Sequence, residues 1–304
     1  MVDQAVDQAA DQVAEQVAEQ VRIVEMSPRD GLQNESRLVP TAEKIALIDR
    51  LSSCGFDAIE ATSFVSPKWV PQMGDAAAVM AGISRAPGVT YWVLAPNMHG
   101  YEAARAAGAD GVAIFGSASE SFSQKNINCS IAESLARFAP VAEAALADGL
   151  ALRGYVSCVT DCPYEGAIAP RAVAEVATAL AAMGCKEISL GDTIGHAHPE
   201  TTAQMLNAVL ASLPASQLAG HFHDTAGRAL ENIGVALDKG LRVFDAAVGG
   251  LGGCPYAPGA AGNVDTLKVD AMLKMLGFDT GLDSEKLRAA ARFAKGLRTE
   301  GLQQ

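Results

Sequence analysis

From Val21 onward the sequence alternates short apolar runs with longer amphipathic runs, and this alternation constrains the fold more than any other feature. The longer runs have the boundaries of helices: "TAEKIALIDRLSSCG" begins with a Thr and ends in Gly, and "PRAVAEVATALAAMG" begins with Pro and ends in Gly. Strands that alternate with helices predict parallel βα units with right-handed crossovers. Eight strands are predicted, at 21–27, 58–64, 89–95, 111–118, 151–159, 185–193, 219–225 and 242–250.

Eight βα units in 304 residues predict an α/β fold of the closed (β/α)₈ TIM barrel type. The alternative, a doubly wound open sheet, calls for a Gly-rich phosphate-binding turn after the first strand, whereas "SPRDGLQNE" follows it here. No linker-like tract divides the chain. We therefore expect residues 21–304 to form one catalytic domain with a helical C-terminal extension, and residues 1–20, a repeat rich in Gln and acids, to form a frayed tail.

Charge and cysteine content exclude several classes of protein. The formal net charge is −12 and no Lys/Arg run lies beside aromatic residues, which argues against a nucleic-acid partner. The apolar runs fall short of the roughly 20 residues that span a bilayer, so no membrane segment is expected. Six scattered cysteines without a secretory signal, and a tail unlike the Arg-rich transit peptides, predict a cytoplasmic protein with reduced thiols.

In a TIM barrel the chemistry lies at the C-terminal ends of the strands and in the loops that follow them. Several polar residues fall at such positions, and they are the first candidates for an active site. They are Arg29 and Asp30 after the first strand, Glu60 on the second, Asp192 at the end of the sixth, and Cys254 and Asn263 after the eighth.

The sharpest local signal is "HFH" on the seventh strand. Residues i and i+2 of a strand share a face, so His221 and His223 can both face the barrel axis while Phe222 faces the helices. Two inward imidazoles are a costly way to fill a core unless they bind something. Two His, one Asp and an amide or water oxygen would suit Mn²⁺, Mg²⁺, Co²⁺ or Zn²⁺, and the sequence does not choose among these divalent cations.

Cys254 lies in "VGGLGGCPYAPGAAGN" and permits two interpretations. The glycines could let the loop close over a substrate and bring the thiol to a reacting carbon. Alternatively, the glycines make a strand-to-helix turn and the cysteine is a small buried hydrophobe.

Four segments together resemble the 3-hydroxy-3-methylglutaryl-CoA lyase family, within the metal-dependent barrel lyases and Claisen synthases. They are "SPRDGLQNE", "IEATSFVSPKWVPQMGD", "HFHDTAG" and "GLGGCPYAPGAAGN", and the resemblance runs from about residue 21 to 277. The R-D-G and H-x-H elements are shared across the superfamily, whereas the Cys-bearing Gly loop indicates the lyase branch. The synthases usually continue into accessory domains, so the length of this chain also favours a lyase.

The resemblance implies a residue set and a reaction. It implies that Asp30, His221, His223 and Asn263 bind a divalent cation, most simply Mg²⁺ or Mn²⁺, with Co²⁺ and Zn²⁺ as alternatives. Arg29 would contact the thioester of an acyl-CoA substrate, Glu60 and Asp192 would line the site as acids, and His221 and Cys254 would take part in catalysis. The implied assembly is a homo-oligomer, a dimer as in the family.

The implied reaction is the retro-Claisen cleavage of 3-hydroxy-3-methylglutaryl-CoA to acetoacetate and acetyl-CoA, a step of leucine degradation. It needs a base for the C3 hydroxyl, for which Asp30, His221 and a bound water are candidates, a donor for the thioester oxygen, and an acid for the enolate carbon. Three alternatives stay open: a lyase for a longer 3-hydroxy-3-alkylglutaryl-CoA, a related synthase or 2-oxo acid aldolase, and a barrel that binds metal or acyl-CoA without turnover.

Overall fold

The structure is a computed structural model that describes residues 18–254 and 257–299, with side chains described outside 253–261 and residue 299. Eight parallel strands form a closed barrel, which confirms the predicted (β/α)₈ architecture. The strands are β1 (Arg22–Glu25), β2 (Ala58–Ser63), β3 (Thr90–Leu94), β4 (Gly111–Ser117), β5 (Ala151–Ser157), β6 (Glu187–Asp192), β7 (Leu218–Phe222) and β8 (Val243–Ala246).

Each barrel strand pairs with its neighbours in chain order, and β8 closes the barrel on β1 with Arg22 opposite Val243 and Glu25 opposite Ala246. The eighth strand is shorter than predicted. It ends before a 3₁₀ turn at Val248–Gly250, because Gly249 and Gly250 take φ angles of 70° and 60°, which no strand can continue.

Helices alternate with the strands and surround the barrel. The C-terminal extension is helical as predicted, and its helix packs against the first helix and against the Val248–Gly250 turn. The helices are α1 (Thr41–Ser52), α2 (Ala76–Gly82), α3 (Met98–Ala106), α4 (Glu120–Ile127), α5 (Ile131–Ala147), α6 (Pro170–Ala182), α7 (Pro199–Leu210), α8 (Ala229–Asp238), α9 (Thr266–Met275) and α10 (Ser284–Thr299).

Alternate residues of each strand face two different interiors. Leu218 and Phe222 of β7 belong to the large apolar layer between the strands and the helices. Ala219 of the same strand belongs to a smaller apolar cluster inside the barrel, with Val24 and Val243. The upper part of the barrel interior is filled by polar side chains, and these are the candidates for a functional site.

The N-terminal boundary of the barrel includes part of the predicted tail. Gln20 pairs with Asp279, and Glu19 forms an ion pair with Arg242 at 2.7 Å. Residues 1–17 lie outside the described part of the chain, so the tail and the single catalytic domain stay predictions. Within the described ranges, no helix is both long and apolar enough to cross a membrane.

Candidate metal centre and active site

Arg29 and Asp30 lie on one wide helical turn, Ser27–Gly31, directly after β1. Pro28 is the second residue of the turn, where its missing N–H costs nothing, and the Gly31 amide donates to the Met26 carbonyl five residues back. A side chain at Gly31 would collide with Leu251, since its Cβ would lie 2.9 Å from the Leu251 Cβ. This close approach brings the turn after β1 against the loop after β8.

Three donor groups converge at the mouth of the barrel. The Nε2 atoms of His221 and His223 lie 3.1 Å apart, and they lie 3.9 Å and 3.8 Å from Asp30 Oδ2. The other ring nitrogen of His221 lies 3.0 Å from Asp245 Oδ2, whereas Nδ1 of His223 is buried without a hydrogen-bond partner among the described residues. Two imidazole nitrogens and a carboxylate oxygen that face one another fit a divalent transition-metal ion.

The pKa of Asp30 fits this role as an anionic ligand. Burial acts to raise that pKa, but the neighbouring Arg29 guanidinium and then His223 and His221 outweigh it, so the pKa lies well below its usual value. Asp30 is therefore a carboxylate at neutral pH.

Asn263 lies beside the three donors and bridges two segments. Its Nδ2 donates to Asp30 Oδ2 at 2.7 Å and to the Leu251 carbonyl at 3.3 Å. As a metal ligand it would present Oδ1 instead, which exchanges the two ends of the amide. Gly252, at a φ of 101°, leaves room for this side chain, because a Cβ there would lie 2.7 Å from Nδ2. Its metal-binding role stays a prediction.

The Arg29 guanidinium is fixed by two carboxylates. Its Nε donates to Glu60 Oε2 at 2.5 Å, and its Nη1 donates to Asp30 Oδ1 at 2.6 Å. Burial raises the pKa of Glu60, and the attraction of Arg29 only partly offsets that effect. The sequence-predicted residues Arg29, Asp30, Glu60, His221, His223 and Asn263 are thus brought together at one end of the barrel.

Sequence reasoning missed three buried residues beneath this group: Arg153, Tyr155 and Asp245. The Tyr155 hydroxyl donates to Glu60 Oε1 at 3.1 Å and lies 2.6 Å from Arg153 Nη1, which belongs to the guanidinium that pairs with Asp245. A signal was available, because Arg153 and Asp245 are charged residues within predicted buried strands and charges are rarely buried without a purpose.

For two other sequence-predicted residues, Asp192 and Cys254, the described contacts do not reveal a catalytic role. Asp192 is buried, but its oxygens accept from the backbone amides of His196 and Ala197, each at 3.1 Å, so its described bonds hold the loop after β6. Burial raises the pKa of Asp192. The backbone of Cys254 lies in a short strand, Gly253–Cys254, that pairs with Ala257–Ala261, while its side chain lies outside the described residues. Both catalytic assignments stay predictions.

Comparison with known proteins gives close relatives. The chain is 58% identical over 273 residues to "Hydroxymethylglutaryl-CoA lyase, mitochondrial" of Bos taurus, covering 90% of this chain and 84% of the relative. It is 55% identical over 267 residues to a Pseudomonas aeruginosa protein named "3-hydroxy-3-isohexenylglutaryl-CoA/hydroxy-methylglutaryl-CoA lyase", covering 88% and 89%.

The solved structures to which this chain is similar include HMG-CoA lyases as well. The crystal structure of an HMG-CoA lyase from Brucella melitensis is 66% identical with a TM-score of 0.92, covering 93% of this chain and 100% of that one. A 39% identical HMG-CoA lyase, from Acinetobacter baumannii, has a TM-score of 0.87 over 92% and 91% of the chains, and its structure holds coenzyme A and 3-methylmalate. A family model described as HMGL-like matches residues 20–294, and the chain therefore belongs to the HMGL-like family.

Proposed function

We propose that this protein is a hydroxymethylglutaryl-CoA lyase, a carbon–carbon lyase that cleaves 3-hydroxy-3-methylglutaryl-CoA to acetoacetate and acetyl-CoA. Relatives of that name at 55–58% identity over about nine tenths of the chain support the activity. The observation that carries the mechanism is the cluster of Asp30, His221 and His223 beside the buried Arg29 guanidinium.

Asp30, His221 and His223 would hold the divalent cation, with Asn263 as a fourth ligand. Such a cation, when bound, lowers the pKa of the substrate's C3 hydroxyl and orients it as a Lewis acid. The donor set suits Mn²⁺, Co²⁺ or Zn²⁺ at least as well as Mg²⁺, which prefers oxygen ligands. Asp30 is favoured to take the hydroxyl proton, because its carboxylate keeps lone pairs beyond the one given to the cation, whereas the single ring lone pair of His221 would be occupied by the cation.

Arg29 would meet the negative charge that grows on the thioester oxygen as the acetyl-CoA enolate forms. Its guanidinium cannot lose its charge, and Glu60 and Asp30 hold it in one orientation before the substrate arrives. Glu60 is in turn held by the Tyr155 hydroxyl. Glu60 would thus contribute by orienting Arg29. Asp192 would contribute by holding the loop after β6, since its oxygens accept from the amides of that loop.

Cys254 would deliver the proton to the enolate carbon. A thiol with a pKa near roughly 8.5 is protonated at neutral pH and can act as this acid. The neighbouring loop residue Leu251 packs against the turn that carries Arg29 and Asp30, which places the start of the Cys254 loop at the mouth of the barrel. Cys254→Ala is expected to lower kcat by about 10²-fold to 10⁴-fold while metal binding is retained.

A direct assay tests the proposal. Purified protein with Mg²⁺ or Mn²⁺ and 3-hydroxy-3-methylglutaryl-CoA should release acetoacetate and acetyl-CoA in equal amounts. Protein that is folded and metal-loaded but releases neither product would contradict the proposed function.

A longer substrate is the second candidate, because the Pseudomonas aeruginosa relative is named for both a methyl and an isohexenyl substrate. The two are separated by measuring kcat/KM for 3-hydroxy-3-methylglutaryl-CoA and 3-hydroxy-3-isohexenylglutaryl-CoA in parallel. A ratio above about 10 in either direction identifies the preferred C3 substituent.

The location and the assembly of the protein are further parts of the proposal. Relatives of this chain include proteins named mitochondrial and one named cytoplasmic, and we propose a cytoplasmic location, which the free thiols of the described cysteines support. We propose a homo-oligomer, a dimer by the family resemblance, which a light-scattering mass would test.

A further inference from the structure

Asp245 lies on β8, within hydrogen-bond distance of the metal-ligand candidate His221, and is 2% exposed. Its Oδ2 lies 3.0 Å from His221 Nδ1 and accepts the Ser189 hydroxyl at 2.7 Å. Both oxygens accept from Arg153, at 2.6 Å and 3.2 Å. The carboxylate therefore joins side chains from β5, β6 and β7 to β8 inside the barrel.

The charge of Asp245 follows from these neighbours. Arg153 is 1% exposed, and a guanidinium that is buried so completely needs an anionic partner. Asp245 supplies such a partner through two N–H···O contacts, while Glu187 accepts from the Nε of Arg153 at 2.7 Å, and the Ser189 hydroxyl is a further donor to Asp245. An ionised carboxylate has only lone pairs to offer, so the ring nitrogen of His221 that faces it must carry the hydrogen.

We propose that Asp245 is a positioning residue that holds His221 as its Nδ1–H tautomer, so that the Nε2 lone pair faces His223 and Asp30 as a metal ligand. The assignment rests on the proposed function only through the identity of the metal ligands. The opposite tautomer would set the Nδ1 lone pair against a carboxylate oxygen and would direct an N–H into the ligand cluster, where it would block the ion.

The tautomer is measurable without metal and without substrate. In metal-free wild-type protein, above the pH at which the ring titrates, ¹⁵N NMR of the histidines should show a protonated Nδ1 and a bare Nε2 for His221. The signal is assigned by its loss in His221→Gln. A bare Nδ1 in this wild-type spectrum would overturn the proposal, and no variant needs to fold for that test beyond the one used for assignment.

Asp245→Asn tests the consequence. Arg153 should retain the amide oxygen, which turns the amide NH₂ toward His221 Nδ1 and favours the wrong tautomer. We expect Mn²⁺ affinity, measured by the bound-ion EPR signal, to fall about 10-fold to 100-fold, together with the switch in the ¹⁵N pattern.

Asp270→Asn is the matched control. Asp270 is likewise buried, but it lies on α9 rather than on a barrel strand, and it accepts from Thr280, Lys274 and Ser284 rather than from a candidate ligand. The Asp270→Asn protein should be less stable than the wild type and should bind Mn²⁺ with the same affinity. A folded Asp245→Asn protein that binds Mn²⁺ as the wild type does would overturn the proposal. If instead the wild type lacks lyase activity but His221 shows Nδ1–H, the proposed function fails and the role of Asp245 stands.

Discussion

The two faces of the barrel strands bury very different groups. The outer face meets the helices with an apolar layer that includes Ile23, Phe222 and Phe244. The inner side of the barrel holds charged residues in compensating contacts: Arg153 with Asp245, and Glu60 with Arg29 of the turn after β1. The outer face stabilises the fold by burying apolar surface, whereas the inner face buries charged groups whose fixed positions preorganise a site.

Two buried acids show what this difference means. Inside the barrel, burial acts to raise the pKa of Asp245, but Arg153 outweighs burial, so that pKa is lowered. Among the described residues, Glu25, at the end of β1, accepts from neutral donors: the amides of Ser27 and Val248 and the Thr266 hydroxyl. Burial raises its pKa from 4.5 to about 7. A cationic partner, more than depth, decides whether a buried acid stays ionised.

The largest contrast is expected between Phe222, the last residue of β7, and His223, the residue that follows it. Phe222→Ala should lower the free energy of unfolding by about 3–5 kcal/mol, because it removes a ring that is 1% exposed from the outer layer. The folded variant should retain Mn²⁺ affinity. His223→Ala should do the reverse, with affinity reduced about 10-fold or more. Urea unfolding and Mn²⁺ titration of both variants check this, and a similar profile for the two would break the comparison.

Glu25→Gln tests the outer acid. Because the folded pKa is raised, Glu25 stabilises the fold while it is protonated, and that contribution falls as pH rises from 4.5 through about 7. Across this pH range the free energy of unfolding should fall by about 3 kcal/mol. Because glutamine resembles the protonated acid, Glu25→Gln should abolish this pH dependence. The measurement is the wild-type minus variant free energy of unfolding across pH 4 to 8. A difference that does not change with pH would contradict the assignment.

Arg29→Lys tests the inner face through activity. Lysine keeps the charge but cannot donate in a fork to Glu60 and Asp30 together, so kcat should fall by about 10²-fold, near 2.7 kcal/mol, with a smaller change in KM. Steady-state kinetics at saturating metal measures the effect. An unchanged kcat would place Arg29 outside the reaction.

The smallest effect is expected for charges that face solvent. Arg171 and Glu175 form an ion pair at 2.7 Å on α6, with side chains that are 89% and 61% exposed. Glu175→Ala should change the free energy of unfolding by about 0.5 kcal/mol or less and leave kcat unaltered, because water screens the pair. A larger loss would show that burial does not explain the difference between the charges inside the barrel and those exposed to solvent.

Much of the site could be predicted from local patterns in the sequence. The i, i+2 spacing of His221 and His223 predicts two side chains on one face of a strand, and their Nε2 atoms meet at 3.1 Å. Arg29 and Asp30 follow the first strand, where barrel chemistry is expected, and the structure brings them to the histidines. Asp192 shows the limit of this reasoning, since a strand-end acid can hold a loop as well as line a site.

The sequence by itself determined the eight βα units, the order of the strands and the ligand candidates, because strand periodicity and the position of a residue after a strand are local properties. Only the tertiary structure decided that Asp245 approaches His221, that Arg153 neutralises Asp245, and that Glu25 accepts from the neutral Thr266 hydroxyl. These pairings join residues 24 to 241 positions apart. Barrel closure sets them, because register and inward orientation, which no single segment encodes, fix which side chains share a layer.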